Sequence, residues 1–193
     1  SESSLSYAYV NGKRVARLKG EGYFQVSKDR KHPFVVQVGN LNIEVLGTCF
    51  NVYSYEENDF VETSLIEGSV RLSDSKSPSE SFILKPSQKA IYSKNNGKIS
   101  FHNTDNVKET AWTQNHLVFE SEKLGSVFQK IERWYGVHID LLCPEIANDQ
   151  ISGSFKDEQL PYVMEALKFQ YGFNYEITGN NVTINKSNQL KIK

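Results

Sequence analysis

From residue 14 to about residue 101, short runs rich in Val, Ile, Tyr, Phe and Thr alternate with clusters of Gly, Asn, Asp, Pro and Ser. That is the pattern of an all-β region, and it predicts strands at 14–18, 22–27, 34–38, 41–47, 50–55, 60–66, 69–73, 81–84, 89–93 and 98–101. Gly39-Asn40, set between Val38 and Leu41, is a two-residue hairpin signal because both residues tolerate positive φ. Leu41, Ile43 and Val45 alternate with Asn42 and Glu44, so one face of that strand is buried and the other wet. Asp74 to Glu80 reads as a polar loop, and Glu67-Gly68-Ser69 as a hairpin corner whose glycine takes a conformation other residues resist.

Residues 103–114 are mostly polar and carry no period, which predicts a linker with Trp112 as an anchor. After it the grammar changes to helix and strand. Leu124, Val127, Phe128, Ile131 and Tyr135 form one apolar helical stripe, and Gly136 stands where a left-handed cap is expected. Leu160, Val163, Met164, Leu167 and Tyr171 repeat the same offsets, with Pro161 in the first turn and Gly172 at the end. Each helix leads into an alternating strand (Val137, Ile139, Leu141; then Phe173, Tyr175, Ile177), and Leu117–Phe119 and Ile151–Phe155 precede the two helices. The turn at residues 178–181 delivers a last strand, Val182–Ile184. The expected organisation is multidomain: an all-β domain at 1–102, sandwich or short β-helix-like, a linker at 103–114, and a small α+β domain at 115–188. The latter has the order βαββαββ, with two helices on one face of a sheet.

Composition narrows the function classes. With 38% apolar residues the chain can close real cores, so a wholly disordered chain is excluded. A formal net charge of −1, with no basic block, argues against a nucleic-acid partner. No apolar run approaches the roughly eighteen residues of a membrane span, and residues 1–9 lack the order of a signal peptide. Cys49 and Cys143 fall in different predicted domains and read as two small buried side chains rather than a disulfide or metal pair.

Catalytic patterns are not found. His32, His102, His116 and His138 have no spacing of two or four, so neither a local metal site nor the His-x-His pair of a cupin-like barrel is present. Neither a Gly-x-Ser-x-Gly elbow nor a local Cys/His signature occurs, and Glu56, Glu57, Glu62 and Glu67 read as surface acids rather than a glycosidase pair. Gly20-Glu21-Gly22 leads into the strand Tyr23–Val26 and not into a helix N-terminus, so it is a bend and not a phosphate loop. No enzyme, cofactor or metal is therefore expected. Two partner-binding candidates remain. Tyr162 and Phe169 lie seven apart, roughly opposite the apolar stripe of their helix, and form a docking patch for another protein. Ile151, Ser152, Gly153, Ser154 and Phe155, placed at a sheet edge, could accept a partner strand.

The order of motifs resembles the periplasmic domain of FecR-type anti-sigma regulators. The family's Gly-Glu-(Ala/Gly)-Tyr-Phe-x-Val stands here as Gly20 to Val26, its Pro-Phe-x-Val as Pro33 to Val36, its Val-x-Gly-Thr-x-Phe-Asn-Val as Val45 to Val52, and its Leu-x-Glu-Gly-x-Val as Leu65 to Val70. Leu84 to Ala90 matches the closing Leu-x-Pro-Gly-x-x-Ala, with Ser87 in place of the usual glycine. Residues 115 to 185 resemble the C-terminal domain that accompanies it in glycan-degrading bacteria, which is similar to the short N-terminal module of secretins and TonB-dependent receptors. The resemblance implies a fragment, with the earliest strands, a transmembrane helix and a cytoplasmic sigma-binding segment lying outside it. It implies a periplasmic location, tethered to the inner membrane, and contact with the signalling extension of a TonB-dependent outer-membrane transporter whose state is relayed to a sigma factor. A competing class is a secreted carbohydrate-binding module, for which ten tyrosines and eleven phenylalanines would supply the aromatic face.

Overall fold

The structure, a computed structural model, describes residues 3–186; the expected domain limits at 1 and 188 lie outside the described residues. The chain divides into two compact units between Thr113 and Gln114.

The first unit is built on one curled ten-stranded sheet. Its strands are β1 (Ser4–Val10), β2 (Lys13–Val26), β3 (Phe34–Val38), β4 (Leu41–Val45), β5 (Thr48–Ser54), β6 (Phe60–Glu67), β7 (Val70–Asp74), β8 (Ser77–Leu84), β9 (Gln88–Ser93) and β10 (Ile99–Asn103). The order is β10-β9-β6-β5-β2-β3-β4-β7-β8, with β1 added to β2. The long β2 joins the two halves. Its residues 13–19 pair with β1 and 14–17 with β3, whereas residues 20–26 pair with β5. The change of partners falls at Gly20, where φ is +88° and an added Cβ would lie 2.8 Å from the Cα of Ser3, so the expected bend is also a place no side chain fits. Val36, Ile43, Phe50, Val52, Leu65, Val70, Leu72 and Leu84 have no exposed surface and form the centre of the core. Leu41, Ile43 and Val45 are buried while Asn42 and Glu44 are only half-buried, and Val38 pairs with Leu41 across the Gly39-Asn40 turn.

Four expectations are corrected here. A strand at Ser4–Val10 precedes the first one predicted, joined to β2 by Asn11-Gly12, both at positive φ (49° and 77°), as a tight hairpin requires. Glu67-Gly68-Ser69 is a corner but not a hairpin: β6 pairs with β5 and β9, while β7 pairs with β4 and β8, so the chain crosses between the two halves of the sheet at Gly68. The polar loop expected over Asp74–Glu80 shrinks to the turn at residues 75–76, because β8 starts at Ser77 and its polar residues face solvent. Residues 103–114 are not a bare linker, since they contain the end of β10, the helix α1 (Asn106–Thr110) and a 3-10 turn (Ala111–Gln114). Asp105 caps α1 by accepting a hydrogen bond from the Val107 amide.

The second unit runs β11 (His116–Lys123), α2 (Leu124–Tyr135), β12 (His138–Leu141), a 3-10 turn (Pro144–Asn148), β13 (Gln150–Lys156), α3 (Leu160–Tyr171), β14 (Phe173–Thr178) and β15 (Asn181–Lys186). It is a small α+β arrangement with two helices, and its strands fall into two ladders: β11 with β13, and β12-β15-β14. Leu124, Val127, Phe128 and Ile131 of α2 and Leu160, Val163, Met164 and Leu167 of α3 are buried, as their spacing predicts. Gly136 (φ +67°) and Gly172 (φ +66°) end the helices in the left-handed conformation. Both ladders feed one apolar cluster, through Leu117, Phe119 and Ile151 on one side and Ile139, Phe173, Val182 and Ile184 on the other.

Candidate partner-binding surface

Along α3 the buried stripe occupies one side, and Tyr162, Ala166 and Phe169 follow each other on the opposite side, four and three residues apart. Tyr162 is 63% exposed and Phe169 93% exposed, so two large rings stand in solvent about two turns apart on one side of the helix. Beside them lies a polar rim: the Lys168 ammonium donates to Glu165 Oε1 at 3.0 Å and sits 5.8 Å from the Tyr175 ring centroid. The Tyr175 hydroxyl donates to the Pro161 carbonyl and to Glu165 Oε2. The hydrogen bond from Lys168 holds the Glu165 carboxyl below the usual carboxylate range, and burial, aided by Glu165, raises the Tyr175 hydroxyl. Ala166 was not singled out in the sequence; its position between the two rings at helical spacing is the signal that would have found it.

The segment Ile151–Phe155 lies within β13, which pairs with β11 on one side and, among the described residues, with no strand on the other. The side chains divide by alternation. Ile151 is buried and Phe155 half-buried, packed edge-on against Phe119 with centroids 6.3 Å apart, so these two hold the core. Ser152, Gly153 and Ser154 are exposed, and no atom would meet a Cβ at Gly153 within 4 Å. Ser152 Oγ accepts the Ser121 amide at 2.8 Å, beside the irregularity where β11 slips register between Phe119 and Glu122. What this edge offers is therefore backbone, with space above Gly153. The Tyr171 hydroxyl donates to the Gln150 carbonyl at 3.0 Å, which brings the end of α3 against the start of β13.

Two of the histidines are engaged in ion pairs. His32 pairs with Asp29 at 2.8 Å, and His138 lies between Glu132 (3.1 Å) and Asp140 (3.2 Å). Among the described residues no group of three His, Cys, Asp or Glu side chains is placed to hold a metal ion. Cys49 and Cys143 are free thiols, and burial pushes the Cys143 thiol up, away from thiolate reactivity. A cleft of about 390 Å³ in the first unit is lined by Asp74, Glu80, Phe82, Asn96 and Lys98 among others. Its Asp74 carboxylate already accepts the Lys76 amide at 2.7 Å and the Tyr92 hydroxyl at 2.7 Å. Burial, with Asp74 adding to it, pushes the Tyr92 hydroxyl up to about 12, out of range for proton transfer near neutral pH.

Comparison with known proteins adds the family. The FecR protein profile matches residues 1–71, and the FecR C-terminal profile matches residues 116–184, so the two matches fall one in each unit. The chain belongs to the FecR family of anti-sigma factors. The first match ends inside β7, so the Leu84–Ala90 motif lies beyond it. A proposed anti-sigma factor from Parabacteroides distasonis ATCC 8503, solved at 1.65 Å, superposes with a TM-score of 0.82 at 29% identity, covering 96% of this chain and 87% of that one. A second crystal structure under the same description, at 2.50 Å, gives 0.79 and 29%, covering 93% and 83%. No curated protein sequence matches the chain. Among the described residues of this FecR-family chain, no helix is long and apolar enough to cross a membrane. The β13 edge and the Tyr162–Phe169 strip both lie within the region matched by the FecR C-terminal profile.

Proposed function

We propose that the chain is the periplasmic, signal-transducing portion of a membrane-tethered anti-sigma factor. On this reading it contacts the signalling extension of a TonB-dependent outer-membrane transporter and passes the transporter's state toward a cytoplasmic sigma factor without doing chemistry itself. Family membership supports the signalling role. The observation that carries the contact surface is the pair of solvent-facing rings, Tyr162 and Phe169, on the helix whose end abuts the open strand β13. Exposed rings of this kind anchor protein interfaces, and an unpaired strand edge adds backbone hydrogen bonds in register. Such a relay needs differential affinity for two states, and a partner interface supplies it.

The test is calorimetric titration of the chain with the purified signalling extension of its cognate transporter. Phe169→Ala and Tyr162→Ala are each expected to weaken binding on the order of tenfold. Successive amides in a strand point to opposite sides, so Gly153→Pro and Ser154→Pro are measured together. The one that keeps the thermal unfolding of the unit removes an outward amide and is expected to weaken binding as well. Wild-type chain that fails to bind the extension would overturn the relay; full affinity in all four variants would overturn the surface. A glycan titration by intrinsic fluorescence covers the second reading, which the exposed Tyr7 and Tyr9 on one side of β1 favour.

A further inference from the structure

We propose that residues 104–113 form a releasable strap, which lifts from the first unit as one piece while the sheet beneath it stays folded. Polar bonds hold the strap down. The Thr104 amide donates to the Ser87 carbonyl at 3.0 Å, and Asn106 Nδ2 donates to the Ile66 carbonyl (3.4 Å) and Ser87 Oγ (3.3 Å). Ser64 Oγ donates to Glu109 Oε2 at 2.8 Å, Lys89 Nζ lies 2.7 Å from Glu109 Oε1, and Trp112 Nε1 donates to Asn51 Oδ1 at 3.2 Å. Apolar burial is confined to Ala111, which is 6% exposed, and the half-buried Trp112 ring. The first unit's core cluster draws on β2 to β9 and takes no residue from the strap; α1 buries none of its side chains fully, and Val107 is 75% exposed.

The face under the strap is polar and keeps part of its bonding when uncovered. Asn51 and Ser64 are 3% and 2% exposed, yet they alternate along their strands with the core residues Phe50, Val52 and Leu65 and so point away from the core. With the strap gone Lys89 retains Glu62 at 2.9 Å, and Asn51 Nδ2 retains Glu21 Oε1 at 2.9 Å. Release therefore exposes mainly groups that water can satisfy, with a hydrophobic penalty limited to Ala111 and Trp112. Docking also carries a cost, since Asn106 Oδ1 is buried with no hydrogen-bond partner. A five-residue helix has no stability of its own, so the released segment unfolds and gains chain entropy. Because the chain enters the second unit directly after Thr113, the strap gives the relay proposed above a physical two-state element. It is tested without any partner, so either reading can fail while the other stands.

The experiment is native-state hydrogen exchange on the whole chain, read residue by residue. The amides of Thr104 and Glu109, both hydrogen-bonded in the docked strap, are expected to exchange together, about a hundredfold or more faster than those of Val52 and Leu65 and with weak dependence on urea. Glu109→Gln is expected to speed the strap amides about tenfold further and leave Val52 and Leu65 unchanged. Trp112→Phe, which removes the bond to Asn51 together with part of the ring's packing, is expected to act in the same direction and serves if the first variant folds poorly. Strap amides that exchange at the rate of Val52 and Leu65, with the same steep urea dependence, would mean the strap opens only with the whole unit and would overturn the proposal. So would variants that accelerate strap and core alike.

Discussion

Gly68→Ala should be far more damaging than an ordinary glycine substitution, because Gly68 sits where two crossings of the sheet touch. Its φ of +95° is a region that L side chains rarely adopt, which alone costs about 1–3 kcal/mol. The added Cβ would lie 2.8 Å from the Gly47 carbonyl oxygen, 2.9 Å from Thr48 Oγ1 and 3.1 Å from Thr48 Cα. The nearest obstacle is backbone of the other crossing, between β4 and β5, so no side chain can simply rotate away. Moving it strains Gly47, itself at φ +144° against Lys28, and pulls Thr48 Oγ1 from the Ser69 carbonyl it binds at 3.0 Å, a loss of about 1 kcal/mol. The expected destabilisation is about 3–5 kcal/mol. Gly39→Ala is the control: φ is +55° and nothing lies within 4 Å of the new methyl, so about 1 kcal/mol is expected. The assay is a urea titration followed through the Val52 and Leu65 amide resonances, which report the first unit alone in a chain that need not unfold in one step. With a slope of about 2 kcal/mol per molar urea, the midpoint should fall by roughly 1.5–2.5 M for Gly68→Ala and by about 0.5 M for Gly39→Ala. Equal shifts for the two variants would refute the claim that the crossings are locked against each other.

Other consequences are separate. Ser87 occupies a left-handed conformation (φ +61°) where the family motif has glycine, so Ser87→Gly should stabilise the first unit by up to about 1 kcal/mol after loss of the 3.3 Å contact from Asn106, a rise of up to about 0.5 M in the urea midpoint, and Ser87→Val should lower it. Burial opposes ionisation of Glu109, but attraction to Lys89 and the bonds from Lys89, Thr104 and Ser64 outweigh it and leave the carboxyl below its ordinary 4.5. A depressed folded value stabilises the protein above 4.5 and is lost as pH falls through that folded value, so protection of the strap amides should weaken on acidification and Glu109→Gln should flatten that dependence. Burial likewise opposes charge on Lys89, yet Glu62 and Glu109 raise it above 10.5, so its contribution holds below 10.5 and disappears as pH climbs through the raised value. Lys89→Met should remove that alkaline limb in a pH series of urea midpoints.

Periodicity made much of the fold legible, and the failures share a cause. Leu41, Ile43 and Val45, or Leu160, Val163, Met164 and Leu167, announce their buried side because a single element fixes which positions share a face. The same geometry placed Tyr162 and Phe169 in solvent, since whatever lies opposite a buried stripe is exposed. Leu5-Ser6-Tyr7-Ala8-Tyr9 alternates and Asn11-Gly12 is a strong hairpin signal, yet β1 supplies no buried side chain, so no core face marks it as a strand. Pairing choices are different in kind. Nothing local to Glu67-Gly68-Ser69 distinguishes a hairpin from a crossing, because the distinction lies in the partners of β6 and β7 and not in the turn.

The strap is the extreme case. Its residues carry no period because no element-wide face organises them; Thr104, Asn106, Glu109 and Trp112 are held by particular polar atoms far away in the chain. Glu109 meets Ser64 across 45 positions and Trp112 meets Asn51 across 61. A polar segment secured by such bonds has the composition of a linker, and the resemblance is physical as well as formal. Side chains that water can satisfy equally well give the docked state a small net advantage, whereas an apolar stripe has no comparable alternative. The property that hid this segment from a periodicity reading is thus the one that would let it detach, and elements able to change state in a signalling protein should be sought where polar runs without a period are nevertheless bound to the fold.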